Sequence, residues 1–230
     1  MENRKHTSLK DLAQALGVSI PTVSRALKDS PEISRELCAK AKALAKEMNY
    51  RPNPFAMSLR KNAPRIIGVV VPDIVTHFFA SILNGIENMA IANGYFVIIT
   101  TSHESYEHEK RNIENLVNMR VEGIIACLSQ ETTDFSHISA LKDINMPLIL
   151  FDRVCLTDQF SSVIADGAQS AQMATQHLLD NGSKRVAFIG GANHLDIVKR
   201  RKHGYLEALR ENRIPIEKEL VVCRKIDYEE

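Results

Sequence analysis

Apolar residues recur at helical spacing along the first fifty residues, and glycine, proline and serine interrupt this pattern twice. The pattern predicts three short helices, over Leu9–Leu16, residues 18–27 and residues 34–48. Ser8 is a favoured residue before the first helix, and Gly17 is a favoured residue after it. Two short helices joined by a tight turn and braced by a third are typical of a helix-turn-helix unit.

Continuous apolar runs become the most regular feature after residue 64. Such runs, separated by amphipathic segments, indicate βαβ units and a parallel sheet buried on both faces. The first set has strands at Ile66–Val71, 95–100, 121–128 and 147–151, with helices at 78–92 and 107–119. A second set predicts another α/β lobe, with strands at 163–165, 185–189 and 220–223 and helices at 168–179 and 197–210.

The composition is that of a water-soluble globular chain, with 44% hydrophobic and 25% charged residues among 230. No apolar run approaches the roughly 18 residues of a membrane-spanning helix, and no export signal precedes the first helix, so we expect a cytoplasmic protein. The cysteine spacing matches neither a zinc site nor a redox pair, and we expect reduced thiols. These are Cys38, Cys127, Cys155 and Cys223.

The net charge of +1 is unevenly distributed. Residues 1–64 hold 12 Lys and Arg against 6 Asp and Glu, a net of +6. Residues 65–230 hold 17 basic and 22 acidic residues, a net of −5. A small basic unit suggests a polyanionic partner such as nucleic acid, although charge alone equally allows a solvated basic face.

The second predicted helix presents an outward face suited to reading base edges. Arg25 is the strongest candidate, because a guanidinium can bridge O6 and N7 of guanine, a contact that contributes roughly 1–3 kcal/mol of discrimination. Ile20 and Pro21 can contact thymine methyl groups. A three-helix bundle with a polar rim is the alternative interpretation. The outward set is Ile20, Pro21, Thr22, Ser24 and Arg25.

Several short motifs occur at fixed spacing: SLKDLA at 8–13, GVS at 17–19, TVSRAL at 22–27, NYRPN at 49–53 and SLR at 58–60. In these motifs the chain resembles the LacI/GalR (lactose/galactose-repressor) family of bacterial transcription regulators, and the likeness continues along the whole chain. It implies a helix-turn-helix domain with a hinge helix at 1–64 and a periplasmic-binding-protein-like sensor at 65–230. Lobe one of the sensor would cover about 65–164. Lobe two, begun at 165–230, would be incomplete, because family members continue further, so we expect a fragment or a truncated product.

The resemblance also implies DNA contacts outside the recognition helix. A hinge helix over residues 53–62 would fold when two copies pack on DNA, with Leu59 wedged between central base pairs and Arg60 beside it in the minor groove. Ser8, Ser24 and Asn53 would hold phosphates. Lys28 stands where the family usually has Asn, so a contact to the DNA backbone there would become a charge contact. The DNA-binding set is Ser8, Ser19, Ile20, Pro21, Thr22, Ser24, Arg25, Lys28, Asn53, Leu59 and Arg60.

For the sensor, the resemblance implies a small molecule held between the lobes. Phe78 and Phe79 would stack on a sugar or base, and charged side chains would bind hydroxyls or carboxylates. Core packing is the alternative for the two rings, and a structural salt bridge is the alternative for the Asp152–Arg153 pair. The effector-binding set is Phe78, Phe79, Asp152, Arg153, Asp166 and Arg201.

The sequence therefore predicts a DNA-binding transcription regulator, a repressor that binds a pseudo-palindromic operator as a homodimer or tetramer. Its effector would be a small molecule such as a sugar. A periplasmic-type solute-binding protein is one alternative, but it leaves residues 1–64 unexplained, and a truncated regulator that does not sense ligand is another. No glycine-rich phosphate loop or catalytic constellation is recognisable, so neither an enzyme nor a cofactor is predicted.

Overall fold

The computed structural model describes residues 7–50 and 65–224. The chain divides into two compact units, Met1–Asn62 and Ala63–Glu230, and each is described by itself. The predicted hinge helix at 53–62 lies outside the described residues.

The first unit contains α1 (Leu9–Leu16), α2 (Ile20–Ala26) and α3 (Arg35–Glu47), as predicted. The start of α1 is fixed by a reciprocal capping box between Ser8 and Asp11, and its end by the backbone of Gly17, which has φ +64. A positive φ favours glycine, because a side chain is strained there.

A small apolar core joins these three helices. Leu12 of α1 and Val23 of α2 are fully buried, and Ala45 of α3 closes the same cluster. A second cluster places Ala26 against Ala41. These small residues form the contact between α2 and α3, and the opposite face of α2 remains exposed.

The second unit begins with a five-stranded parallel sheet in the order β2-β1-β3-β4-β5, which confirms the predicted fold class. Its strands are β1 (Ile66–Val71), β2 (Phe96–Thr101), β3 (Gly123–Ala126), β4 (Leu148–Phe151) and β5 (Ser161–Val163). Helices α4 (His77–Ala92), α5 (Tyr106–Asn118) and α6 (Ser136–Asp143) connect them. The short helix α6 was not predicted.

Alternate residues of β1 pack on opposite faces of this sheet. Val70 contacts the α5 and α6 side, whereas Val69 and Val71 pack against α4. Gly68 lies under α5, where an added Cβ would be 2.6 Å from a methyl of Leu116. The central strand is therefore buried on both faces, as the apolar run predicted.

Two details differ from the sequence prediction. The strand expected at 163–165 lies at Ser161–Val163, and it pairs with β4 in the first sheet instead of opening the second lobe. Ile149 and Val163 are exposed, so the outer strands are not buried on both faces. The cluster that α4 forms on the sheet includes Phe151 of β4 but neither Ile149 nor Val163.

The second lobe contains α7 (Gly167–Asp180), β6 (Phe188–Gly190), α8 (Asp196–Glu211) and β7 (Val221–Cys223), with a 3-10 turn at Lys218–Leu220. Strands β6 and β7 are parallel. Helices α7 and α8 cross so closely that a Cβ at Gly204 would be 1.9 Å from the carbonyl oxygen of Ala168. The buried Tyr205 hydroxyl donates to the carbonyl of Val186 at 2.9 Å, which ties α8 to the lobe.

Candidate functional site

The start of α2 is organised by its own side chains. The Ser19 hydroxyl accepts from the Thr22 amide at 3.3 Å and lies 2.8 Å from the Thr22 hydroxyl, which closes the first turn. Pro21 lies in this turn, where an amide hydrogen is not needed. Ile20 and Pro21 are exposed and Thr22 is half-buried, so three of the five predicted base-reading residues are accessible at this helix end.

Ser24 does not have the outward position that we predicted, because it is only 7% exposed. It lies three residues before Leu27, which packs in the core, and residues three apart share one helix face. Ser24 therefore lies at the core edge of α2, and the outward face is narrower than the sequence indicated.

Arg25 is exposed, and its Nη1 lies 2.9 Å from Oε2 of Glu32. An exposed ion pair of this kind contributes about 0–1 kcal/mol, less than the roughly 1–3 kcal/mol of a guanidinium–guanine contact. Glu32 can therefore hold the arginine in place until a base replaces it. Lys28, one turn further, is exposed.

The other predicted DNA contacts are less accessible in this structure or lie outside it. The Ser8 hydroxyl is exposed but already donates to Oδ2 of Asp11 at 2.7 Å. A phosphate would therefore compete with the Asp11 carboxylate for this hydroxyl. Asn53, Leu59 and Arg60 fall outside the described residues.

In the α/β unit, five of the six predicted effector residues lie on loops or helix starts that follow the strands, and Arg201 lies in the second turn of α8. Phe78 is 49% exposed at the start of α4, where a ring can stack on a ligand. Phe79 is 6% exposed and packs against Phe151, with ring centroids 6.4 Å apart. The prediction that Phe79 stacks on the effector is wrong in this structure, because the ring fills the core between α4 and the sheet.

Arg153 forms a buried ion pair, but its partner is Glu104 and not the neighbouring Asp152. Its Nη1 donates to Oε2 of Glu104 at 2.6 Å and to the carbonyl of Leu128 at 3.2 Å. Burial is the largest single influence on the pKa of Arg153 and acts to lower it, but the hydrogen bond to Glu104 and the nearby negative charges together leave the pKa above its ordinary value. The amide of Gln130 also donates to Glu104, at 2.7 Å. The pair therefore connects the loops after β2, β3 and β4.

Asp152 follows β4 with a positive φ of 57 and is half-buried. Burial raises its pKa, and the charges of Arg153 and Arg201 oppose that rise. Asp152, Arg153 and Arg201 thus form one electrostatic group. Asp166 has a local structural role, since its carboxylate accepts from the amide of Gln169 at 3.0 Å and caps α7.

Sequence reasoning missed a fully buried carboxylate, Glu109 of α5, which is 0% exposed. It accepts from the Ser129 amide at 2.5 Å and from the Thr132 hydroxyl at 2.9 Å, and Nε2 of His137 lies 2.9 Å away. Glu109 precedes the buried Ile113 by four residues, so helical spacing could have placed it on the inner face. The carboxylate holds the loop after β3 in place.

Two pockets open beside this loop. The larger, about 580 Å³, has an acidic lining that includes Glu107, Glu131 and Asp134. The smaller, about 270 Å³, is lined by Arg153 together with residues of the loop after β4 and the start of α8. Of the predicted effector residues, only Arg153 lines either of these two pockets.

The cysteines are free, and Cys38, Cys127 and Cys155 are buried. Burial raises the pKa of both Cys127 and Cys155 to about 12, so these thiols are poor nucleophiles at neutral pH. No cluster of His, Cys, Asp and Glu within residues 7–50 and 65–224 could hold a metal ion. Helices long and apolar enough to cross a membrane are also absent from those two ranges.

Residues 8–53 match the sequence profile of bacterial regulatory proteins of the lacI family, and residues 65–230 match that of periplasmic binding proteins and the sugar binding domain of the LacI family. Catabolite control protein A of Priestia megaterium is 31% identical over 229 residues, which cover 97% of this chain and 67% of the relative. The ribose operon repressor of Bacillus subtilis (strain 168) is 32% identical over 204 residues, which cover 89% of this chain and 60% of the relative.

Among solved structures, the lac repressor dimer bound to operator and the anti-inducer ONPF is similar, with a TM-score of 0.73 at 26% identity. The match covers 98% of this chain and 67% of that one. The chain spans about 60 to 67% of the length of the curated relatives it matches.

Proposed function

The chain belongs to the LacI family of bacterial regulatory proteins, and we propose that it is a sequence-specific DNA-binding transcription regulator. It acts as a repressor on a pseudo-palindromic operator, and a small effector such as a sugar sets its occupancy of DNA. The observation that carries this proposal is the exposed face of α2, with Ile20 and Pro21 in its first turn and Arg25 in its last, in a unit whose helix starts are capped by serine side chains.

The charge distribution supports DNA as the partner of the first unit. Residues 1–64 have a net charge of +6, and basic side chains that neutralise phosphates release counterions and so favour binding. The outward residues of α2 supply the two contact types that base reading needs, a guanidinium at Arg25 and an apolar surface at Ile20. Ser24 forms part of the edge of α2 that borders the core. Lys28 contacts the DNA backbone.

We place a homodimer on the DNA, because one helix-turn-helix unit reads only one half-site. The solved relative named as a lac repressor dimer bound to operator supports this arrangement. Asn53, Leu59 and Arg60 provide the minor-groove contacts between the half-sites, as the resemblance implies.

The α/β unit is the effector-binding domain in this proposal. The charges of Arg153 and Arg201 act on Asp152, and Phe78 offers an exposed ring, a combination that suits a polar small molecule. A relative named as a ribose operon repressor supports a sugar as the effector class.

DNA selection with the purified 230-residue chain tests the proposal, followed by fluorescence-anisotropy titration of the selected site and a shuffled control over a salt series. We expect a pseudo-palindromic consensus and a specificity ratio of about a thousandfold or more. Arg25→Ala should weaken binding by roughly 1–3 kcal/mol at each of the two half-sites, about 5- to 150-fold per half-site, and relax selection at one base pair of each.

Lys46→Ala is the matched control, because Lys46 is an exposed cation in the last turn of α3. Its removal lowers the net charge by one, as Arg25→Ala does. It should affect both DNAs alike. Equal binding to both DNAs by the unmodified protein, or equal losses for the two variants, would contradict base reading by α2.

A further inference from the structure

The smaller pocket of the α/β unit has a cationic lining. Arg153, Lys199 and Arg200 line it against a single acid, Asp196. That acid is already occupied, since its Oδ2 lies 2.5 Å from Nε of Arg200. Arg153 is paired in turn with Glu104, so Lys199 leaves the lining with one positive charge in excess, although residues 65–230 carry a net charge of −5.

Arg153 is held in a fixed position by its neighbours. Its Nη1 is bound to Glu104 and to the carbonyl of Leu128, and the side chains of Arg153 and Glu104 are only 15% and 14% exposed. Among residues 65–224, Nε and Nη2 of Arg153 have no hydrogen-bond partner. One edge of a fixed guanidinium thus remains available beside the pocket, and such an edge suits two parallel hydrogen bonds to an oxyanion.

Lys199 supplies a second charge from the first turns of α8. It is exposed and makes no ion pair within residues 65–224, so no competing carboxylate must be displaced. The neighbouring larger pocket has the opposite character, with Glu107, Glu131 and Asp134 in its lining. An anion is therefore attracted to the smaller pocket and repelled by the larger one.

The geometry points to an effector that carries an oxyanion, a phosphate or a carboxylate, bound in the smaller pocket between Arg153 and Lys199. This inference rests on the proposed function, in which the α/β unit binds a small polar effector, and it narrows that effector to one that carries a negative charge. The volume of about 270 Å³ lies just under the roughly 300 Å³ at which pockets for drug-sized ligands begin, so it suits a molecule of about monosaccharide size.

A side-chain NMR titration of the 230-residue chain tests this inference. The Nε–H signal of Arg153, assigned by its loss in Arg153→Lys, is followed with inorganic phosphate, glucose 6-phosphate, glucuronate, glucose and chloride at constant ionic strength. We expect a saturable shift with phosphate and none with glucose or chloride. Glucose 6-phosphate and glucuronate separate the phosphate source from the carboxylate source.

Lys199→Gln should weaken phosphate binding about tenfold, as expected for the loss of a charge-assisted hydrogen bond. Lys142→Gln, which removes an exposed lysine from α6, should leave it unchanged. The inference is overturned if the shift does not saturate, if chloride reproduces it, or if Lys199→Gln binds phosphate like the unmodified chain.

DNA binding by the same protein keeps the two proposals distinguishable. Specific DNA binding without phosphate binding would refute the oxyanion effector alone. Phosphate binding without specific DNA binding would support the anion pocket and refute the regulator.

Discussion

We expect Glu109→Ala to lower the free energy of unfolding of the α/β unit by about 3–5 kcal/mol. Glu109 is 0% exposed, and the Ser129 amide, the Thr132 hydroxyl and the His137 ring converge on its two oxygens. The Ser129 amide would lose its acceptor in a buried place, which alone costs about 1–3 kcal/mol.

The other groups around Glu109 recover only part of that loss. The Thr132 hydroxyl lies 3.0 Å from the Ser129 hydroxyl and can turn toward it. His137 has no such replacement partner. Its buried Nδ1 already lacks a hydrogen-bond partner in the described part of the chain, and Glu109→Ala would remove the partner of its Nε2 as well. Glu109→Gln should cost less than Glu109→Ala, since an amide oxygen can still accept from Ser129.

Urea unfolding followed by far-UV circular dichroism measures the loss, and hydrogen exchange of the peptide containing Ser129 localises it. Glu114→Ala is the control, because Glu114 is exposed on the same helix and should change stability by less than about 0.5 kcal/mol. Equal losses for Glu109→Ala and Glu114→Ala, or unchanged exchange at Ser129, would refute the role of the buried carboxylate.

Three further predictions address the helix crossing, the pH dependence and the hinge. Gly204→Ala should lower stability by at least about 1–3 kcal/mol, because its Cβ would meet the Ala168 carbonyl, whereas Gly85→Ala on α4 has open space and should raise the melting temperature. Burial raises the pKa of Asp152, so at pH values above its folded-state pKa the ionised carboxylate destabilises the folded state. Asp152→Asn should therefore raise the melting temperature at pH 7. This increase in melting temperature should disappear as the pH falls through the folded-state pKa of Asp152. Leu59→Ala should weaken binding to the selected site more than to shuffled DNA in the anisotropy assay, and equal losses would contradict a wedge.

Local sequence signals predicted most of the elements of this protein, although α6 was missed and β5 was misplaced. Ser8, Gly17, Ser19 and Ser34 act within one helical turn, so the starts of all three N-terminal helices and the end of α1 could be predicted from them. The apolar runs predicted a parallel sheet because a strand buried on both faces requires one, as the central strand β1 shows.

The predictions that failed depended on contacts between distant segments. Phe79 was expected to face a ligand but fills the core, and Ser24 was expected to face outward but lies at the core edge of α2. The placement of β5 was decided by its pairing with β4, a contact that apolar periodicity does not encode.

The sequence by itself determined the family, the helix-turn-helix, the α/β class and the charge division between the two units, because motifs, periodicity and composition are properties of neighbouring positions. Only the tertiary structure decided the partner of Arg153, the burial of Glu109 and the sign of charge in each pocket. Glu104 and Arg153 are 49 residues apart, and only the packing of parallel strands brings the loops that carry them to the same edge of the sheet. The physical reason is that a buried ionic contact depends on where the backbone returns, whereas a helix cap depends only on the next turn.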